Sequence, residues 1–292
     1  MLKRFLNKRF SSGLAAGGFG LIVVTLGGWW FAVSLGVIVH LALLEFFRMA
    51  EFTGIRPATK TTLVACQLLL LTTQLGIDGV VSDSLTLAVL PLSGAAICGW
   101  LLLQPKTGSI ADIASSIFGL FYLGYLPSHW LKLRNINDIT LFNSLNQYLI
   151  SPSQVINVGM SITLSVCFMI VAFDIGSYFL GRNYGKTSLS PISPSKTIEG
   201  AIGGLFCSIL IGALSIKYLN LPIPTLVSCL LGLLVSLFAL VGDLTESMMK
   251  RDAGLKDSGN ILPGHGGILD RIDSYLFTPA VIYYVLTLIG KL

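Results

Sequence analysis

Nine stretches of this chain are long and apolar enough to be read as bilayer spans, and no other feature constrains its fold so strongly. They fall at roughly 13–28, 30–47, 61–79, 85–103, 110–127, 155–180, 198–218, 224–244 and 270–290. About 20 apolar residues cross the hydrocarbon core as a helix, which satisfies its own backbone where no water is available. The charged share is 11%, against about 25% in soluble domains, and mean hydropathy is +0.80. That leaves too little polar surface to cover a soluble globule. The expected fold is therefore all-α: a polytopic integral membrane protein of about nine transmembrane helices. Gly27-Gly28 and the Trp29-Trp30 pair separate the first two runs, with one very long helix as the alternative. Paired Trp at a span end suits the interfacial aromatic belt. The basic start (Lys3, Arg4, Lys8, Arg9) mimics a signal-peptide n-region, but no clear small-residue cleavage site follows, so the segment reads as a first span.

The positive charge follows topology. With the N-terminus cytoplasmic, fifteen Lys and Arg fall on the inside, and Lys132, Arg134, Lys217 and Lys291 make four on the outside. The positive-inside rule favours that orientation. The net charge of +5 is therefore read as membrane topology, with no nucleic-acid partner expected. The five cysteines, Cys66, Cys98, Cys167, Cys207 and Cys229, lie within apolar runs without CxxC spacing, so neither a disulfide framework nor a zinc site is expected. His40 reads as a helix-packing residue and His129 as part of an outside loop, 129–154. Residues 1–150 hold about five spans and that loop, and 151–292 form the region that carries chemistry.

Within this second region, charge is concentrated. Ten of the chain's 33 charged residues lie between Asp243 and Asp273. Asp243, Glu246 and Lys250 share a face if the eighth helix continues through them. Lys256-Asp257 and Pro263-Gly264-His265-Gly266-Gly267 form a loop, and Asp270-Arg271-Ile272-Asp273 opens the ninth helix. Carboxylates are hard oxygen ligands suited to magnesium, which takes one or two of them and completes its shell with water and phosphate oxygens. Asp243 and Asp270, on two helices, would suffice. The Gly-rich loop before a helix is a candidate phosphate cradle, although it is not a Walker loop. An earlier segment, Val171 to Gly204, has an acid in an apolar run, Asp174, followed by Arg182, Lys186 and Lys196. Such an acid is costly and usually faces a cavity or partner. The plainer reading of this segment is a polar loop whose basic residues reach for lipid headgroups, with Thr197 or Ser195 capping the next helix. No Ser-His-Asp or Cys-His set is implied.

The run from Ser247 to Asp273 resembles the signature of the phosphatidate cytidylyltransferase family. The residues that carry it are Ser247, Lys250, Arg251, Lys256, Asp257, Gly259, Leu262, Pro263, His265, Gly266, Gly267, Asp270, Arg271 and Asp273, with no departure from the family spacing. Asp174, Gly176, Tyr178, Gly181, Arg182, Ser193-Pro194, Lys196-Thr197 and Glu199-Gly200 are similar to a second family segment, although Ser177 stands where Ala is common and Ser195 where a basic residue is. The resemblance covers about 171–275; before that only hydropathy supports it.

What the resemblance implies is a reaction of CTP with phosphatidic acid to give CDP-diacylglycerol and pyrophosphate. It implies Mg2+, a second cation such as K+, and often a homodimer. Metal and fixed cations stabilise such phosphoryl chemistry, and the lipid phosphate is itself the nucleophile, so no catalytic Ser or Cys is needed. On this reading Asp243 and Asp270 hold the metal, and Asp273 and Glu246 support a second cation or hold basic partners. Lys250, Arg251, Lys256 and Arg271 bind phosphates. His265, Gly266 and Gly267 hold the triphosphate or the leaving pyrophosphate. Arg182, Lys186 and Lys196 stand second in line. The expected setting is a bacterial inner membrane with the site facing the cytoplasm. A transporter and a CTP-using lipid kinase are the rival readings. The concentration of charge in the last 120 or so residues argues against the paired halves of a transporter. Lys250→Ala is expected to lower CDP-lipid formation by the purified protein more than Lys196→Ala does; an equal or reversed order would demote the 247–273 run as the main phosphate site.

Overall fold

The computed structural model describes residues 17–136, 158–221, 223–259 and 266–289. The chain is helical almost throughout: α1 (Gly17–Leu26), α2 (Gly28–Phe52), α3 (Thr59–Ile77), α4 (Asp83–Leu102), α5 (Ile110–Gly119), a π-helical stretch (Leu120–Tyr125), α6 (Leu126–Arg134), α7 (Val158–Tyr184), α8 (Ile198–Tyr218), α9 (Thr225–Asp252), α10 (Leu269–Ile272), a 3-10 turn (Asp273–Tyr275) and α11 (Thr278–Ile289). A short antiparallel hairpin, β1 (Ser188–Ser190) and β2 (Ser193–Thr197), joins α7 to α8. Among the described residues, eight helical segments are long and apolar enough to cross a membrane, so the chain is an all-α polytopic integral membrane protein.

The span expected at 13–28 is represented by α1 alone, about 15 Å long at 1.5 Å per residue; residues 13–16 lie outside those described. The helix breaks where the glycine pair predicted it would. Gly27 and Gly28 have φ of 64° and 51°, a region open to glycine and strained for other residues.

Two sequence expectations fail around the fifth span. The outside loop expected from residue 129 begins later, because α6 runs on to Arg134. Trp130, Leu131 and Leu133 are buried there, and His129 is buried too. Its Nδ1 lies 2.9 Å from the Tyr125 carbonyl, so the helix itself satisfies the ring. His40, expected to pack, is instead exposed on α2.

The chain forms two compact units. Met1–Leu131 with Met249–Ile272 make one, and Lys132–Met248 with Asp273–Leu292 make the other. In the first, the rings of Phe46, Phe47, Phe118 and Tyr122 form a chain of contacts, with centroids 5.0 to 5.8 Å apart. At one end of α5, Ser109 and Asp112 cap the helix reciprocally. Asp112 also accepts from the Arg56 backbone N–H at 2.7 Å.

In the second unit α7 and α8 pack antiparallel through small residues. A Cβ at Gly204 would lie 2.6 Å from the Phe173 carbonyl oxygen and would overlap Ser177 Oγ; a Cβ at Gly200 would lie 2.7 Å from the Ser177 carbonyl. α8 meets α9 through two reciprocal bonds. Ser208 Oγ donates to the Gly232 carbonyl at 2.9 Å, and Ser228 Oγ to the Gly212 carbonyl at 2.6 Å. Lipid tails are as apolar as side chains, so close backbone approach and interhelical hydrogen bonds drive this packing. All five cysteines are free.

Gly204→Ala is expected to destabilise the protein by about 1–3 kcal/mol through overpacking, read as a lower unfolding temperature in detergent. Gly99→Ala, whose Cβ would meet nothing within 4 Å, is expected to be neutral or to gain up to about 1 kcal/mol of helix propensity.

Candidate functional site

The sequence-predicted residues gather into two constellations, one in each compact unit. The first is acidic. Asp243 and Glu246 lie one turn apart near the C-terminal end of α9, and Asp273 opens the 3-10 turn. One ligand oxygen from each of the three lies within 4.8 Å of the others. Glu246 is fully buried and Asp273 nearly so. Gly242 is what allows this: a Cβ there would overlap the Asp273 carbonyl oxygen, so the α9 backbone lies directly against that of residues 273 and 274. The Asp273 side chain is also anchored locally, its Oδ1 accepting from the Ser274 N–H at 2.7 Å.

Lys196, from β2, pairs its ammonium with the Asp243 carboxylate. The hairpin that delivers Lys196 is held at both ends. Thr197 caps α8 by accepting from the Gly200 N–H at 3.1 Å, the bland role foreseen for it. Glu199 accepts from the backbone N–H groups of Lys186 and Thr187. Asp174, exposed on α7, lies within electrostatic range of Asp243, Lys196 and Asp273. Arg182 points elsewhere, donating to the Tyr178 hydroxyl at 2.9 Å, and Lys186 is exposed.

The donor set suits a hard divalent cation. Three carboxylates beside one ammonium, two of them buried, repel one another and lack water to screen them. Oxygen ligands of this kind, with room for water or phosphate oxygens, are what magnesium takes.

The second constellation is built round Asp270. Its Oδ1 accepts from Lys250 Nζ at 2.7 Å, a pair that is largely buried. Its Oδ2 accepts from the Gly267 N–H at 2.8 Å and the Ser258 N–H at 2.9 Å, with Ser258 Oγ at 3.0 Å. Gly266, at φ 81°, leaves no room for a Cβ, which would lie 2.6 Å from Asp270 Oδ2. Asp270 therefore has a set of partners separate from the three-acid cluster with which the sequence reading grouped it, and the Gly267 amide expected to face phosphate faces this carboxylate. α9 ends at Asp252, and Gly254, at φ 67°, closes the turn after it as a C-terminal glycine does, with the Leu255 N–H bonded to the Lys250 carbonyl at 2.8 Å. Arg251, Lys256 and Arg271 are exposed. His265 lies outside the described residues.

Two residues of this architecture escaped the sequence reading. Gly242 looks like any other glycine of a membrane helix, and nothing in a single sequence marks it. Glu45 did carry a signal, the same intramembrane acid that drew attention to Asp174. It is 2% exposed and binds Ser258, Ile268 and Leu269 directly.

Buried carboxylates, paired lysines and bilayer-length helices together define a polytopic membrane protein with two charged clusters in its polar stretches. The sequence pattern of the cytidylyltransferase family matches residues 7–289, and the chain belongs to that family, which makes it a membrane nucleotidyltransferase. It is 46% identical over 278 residues to the phosphatidate cytidylyltransferase of Synechocystis, covering 93% of this chain and 92% of the relative. It is 31% identical to the phosphatidate cytidylyltransferase of Bacillus subtilis, covering 97% of this chain and 98% of the relative. A chloroplastic relative from Arabidopsis thaliana, phosphatidate cytidylyltransferase 4, is 38% identical over 95% of this chain and 72% of its own length.

Gly242→Ala is expected to push the 273–274 backbone away from α9 and to lower cytidylyl transfer by about 10²-fold, the scale of a 1 Å misplacement. The turnover rate of the purified variant, compared with that of Gly99→Ala, checks this.

Proposed function

We propose that this chain transfers the cytidylyl group of CTP to phosphatidic acid. An oxygen of the lipid phosphate attacks the α-phosphorus of CTP. The bond from that phosphorus to the bridging oxygen breaks, and pyrophosphate leaves with the electron pair. The observation that carries the reading is the cluster of Asp243, Glu246 and Asp273 with Lys196, in a chain whose relatives bear the name of this activity along nearly their whole length.

Asp243, Glu246 and Asp273 would hold the Mg2+, which supplies neutralisation of phosphate charge. Lys196 limits the mutual repulsion of the acids and offers its ammonium to a phosphate oxygen when substrate arrives. In the second constellation Lys250 is a proposed phosphate contact in its own right, and four donors round Asp270, proposed from the resemblance as a metal ligand, keep its carboxylate in one orientation. Arg251, Lys256 and Arg271, exposed and cationic, attract the triphosphate and the lipid headgroup. His265 and the glycines beside it remain proposed contacts to the triphosphate. Up to residue 106, all eight Lys and Arg fall on the side predicted to be cytoplasmic, which supports a site that opens there at headgroup depth, in a bacterial inner membrane. The acyl tails of the lipid then stay in the bilayer during reaction.

Purified protein given phosphatidic acid, magnesium and CTP labelled either in the base or in the γ-phosphate tests the reaction. Base label entering the lipid is the expected result, and γ label entering it would identify a kinase instead. Asp243→Asn is expected to lower the rate by about 10²–10³-fold, as loss of a group aimed at transition-state charge does. A rate near wild type at saturating magnesium would remove Asp243 from the metal site.

A further inference from the structure

Glu45 is an acid in the middle of an apolar helix, and the catalytic scheme does not use it. It is 2% exposed. Its partners lie more than 200 residues away in sequence, on the signature run. Oε1 accepts from the Ile268 N–H at 3.0 Å, and Oε2 from the Leu269 N–H at 2.9 Å. Ser258 Oγ lies 3.0 Å from the same Oε2. Among the described residues, the groups bonded to this carboxylate are all donors, so the position calls for an acceptor with two oxygens. Two further residues fit around it. A Cβ at Gly259 would lie 2.5 Å from Glu45 Oε1, and one at Gly267 would overlap Oε2. Both glycines belong to the signature, so their lack of a side chain lets the loop backbone close on Glu45.

The clamp leads straight to the charged residues. Glu45 fixes the amides of residues 268 and 269. The next residue, Asp270, takes the Ser258 N–H and the Gly267 N–H on one oxygen and Lys250 on the other. The single Ser258 hydroxyl proton stands within bonding distance of both acids and serves one at a time. Asp270, the partner of Lys250, thus follows directly on a stretch of backbone held from α2.

We propose that Glu45 is a positioning residue of the reaction. Its carboxylate holds residues 258 and 267–269 so that Asp270 keeps Lys250 where that lysine can receive one of the phosphates of CTP. This rests on the reading that the 250–273 run binds those phosphates. Without the clamp, only a fraction of molecules holds the competent loop, and the apparent affinity for CTP falls by that fraction. Saturating CTP draws the loop back, so the loss appears in KM more than in kcat.

Glu45→Gln in the purified full chain, reconstituted in phosphatidylcholine nanodiscs, tests this. Gln keeps the size and helix propensity but turns an N–H2 group towards one of the donors. Without substrate, hydrogen–deuterium exchange at Ile268 and Leu269 is expected to quicken about tenfold, the scale of one lost hydrogen bond to a charged group, with α3 and α4 unchanged. KM for CTP is expected to rise about tenfold with kcat changed less than about threefold, and saturating CTP is expected to slow the exchange again. Unchanged exchange at residues 268 and 269, or a fall in kcat with KM for CTP unaltered, overturns the proposal. Should Glu45→Gln fail to fold, Ser258→Ala is read in the same way: faster exchange across 267–269 supports the clamp and unchanged exchange overturns it. Wild-type exchange in this segment that is indifferent to CTP counts against the phosphate reading, whereas the substrate-free comparison judges the clamp by itself.

Discussion

A carboxylate inside an apolar helix bundle must be met by donors or by cations, and the polar architecture of this protein is organised by that requirement. Burial strips the acid of water, and an unpaired buried charge costs several kcal/mol. Two solutions are present. Glu45 and Asp270 are met by backbone N–H groups, a serine hydroxyl and one lysine. Asp243, Glu246 and Asp273 are drawn together with Lys196 beside them. The first arrangement ties residues 258 and 267–269 to two acids through backbone amides and one hydroxyl. The second concentrates negative charge beside a single lysine.

The remaining helices serve this arrangement by their closeness. Between α7, α8 and α9 the contacts run through glycine and serine, and the serines donate across the helix pairs to carbonyls. Large side chains there would separate the backbones by several ångströms. Gly242 applies the same principle at the site, where the distance of Asp273 from α9 decides whether three carboxylates form a cluster. Bulky apolar residues are left for the outer faces, among them Phe206, Leu210 and Leu226, where acyl chains meet them.

Much of the fold was legible beforehand. Hydropathy alone placed the spans of α3, α4, α7 and α8 to within a few residues, because a bilayer demands length and apolarity and little else, whereas α2 and α9 run on past the expected ends at 47 and 244 to Phe52 and Asp252. The glycine pair that separates α1 from α2 was legible for a local reason, the left-handed backbone it adopts. The end of the fifth span was not. His129, Lys132 and Arg134 look like loop residues until the helix is seen to carry them, the imidazole resting on its own preceding turn. At the site, Asp243, Lys250 and Asp270 stood out by charge density. Their partners did not, since Lys250 with Asp270 and Lys196 with Asp243 are pairings across loops. Glu45 was visible as an intramembrane acid, but its bond to the signature run spans over 200 residues and has no trace in local pattern.

By itself, then, the sequence determined the class of molecule, most of the helices and the stretch where charge gathers. Apolar length, glycine breaks and charge density are local properties that act on the chain wherever it goes. Tertiary structure decided which acids share a cluster, which lysine answers which carboxylate, and that Glu45 of α2 reaches Ser258, Ile268 and Leu269. Those are matters of distance between residues far apart in the chain, set by how closely helices pack through glycine and serine. A buried carboxylate accepts whichever donors that packing brings to it.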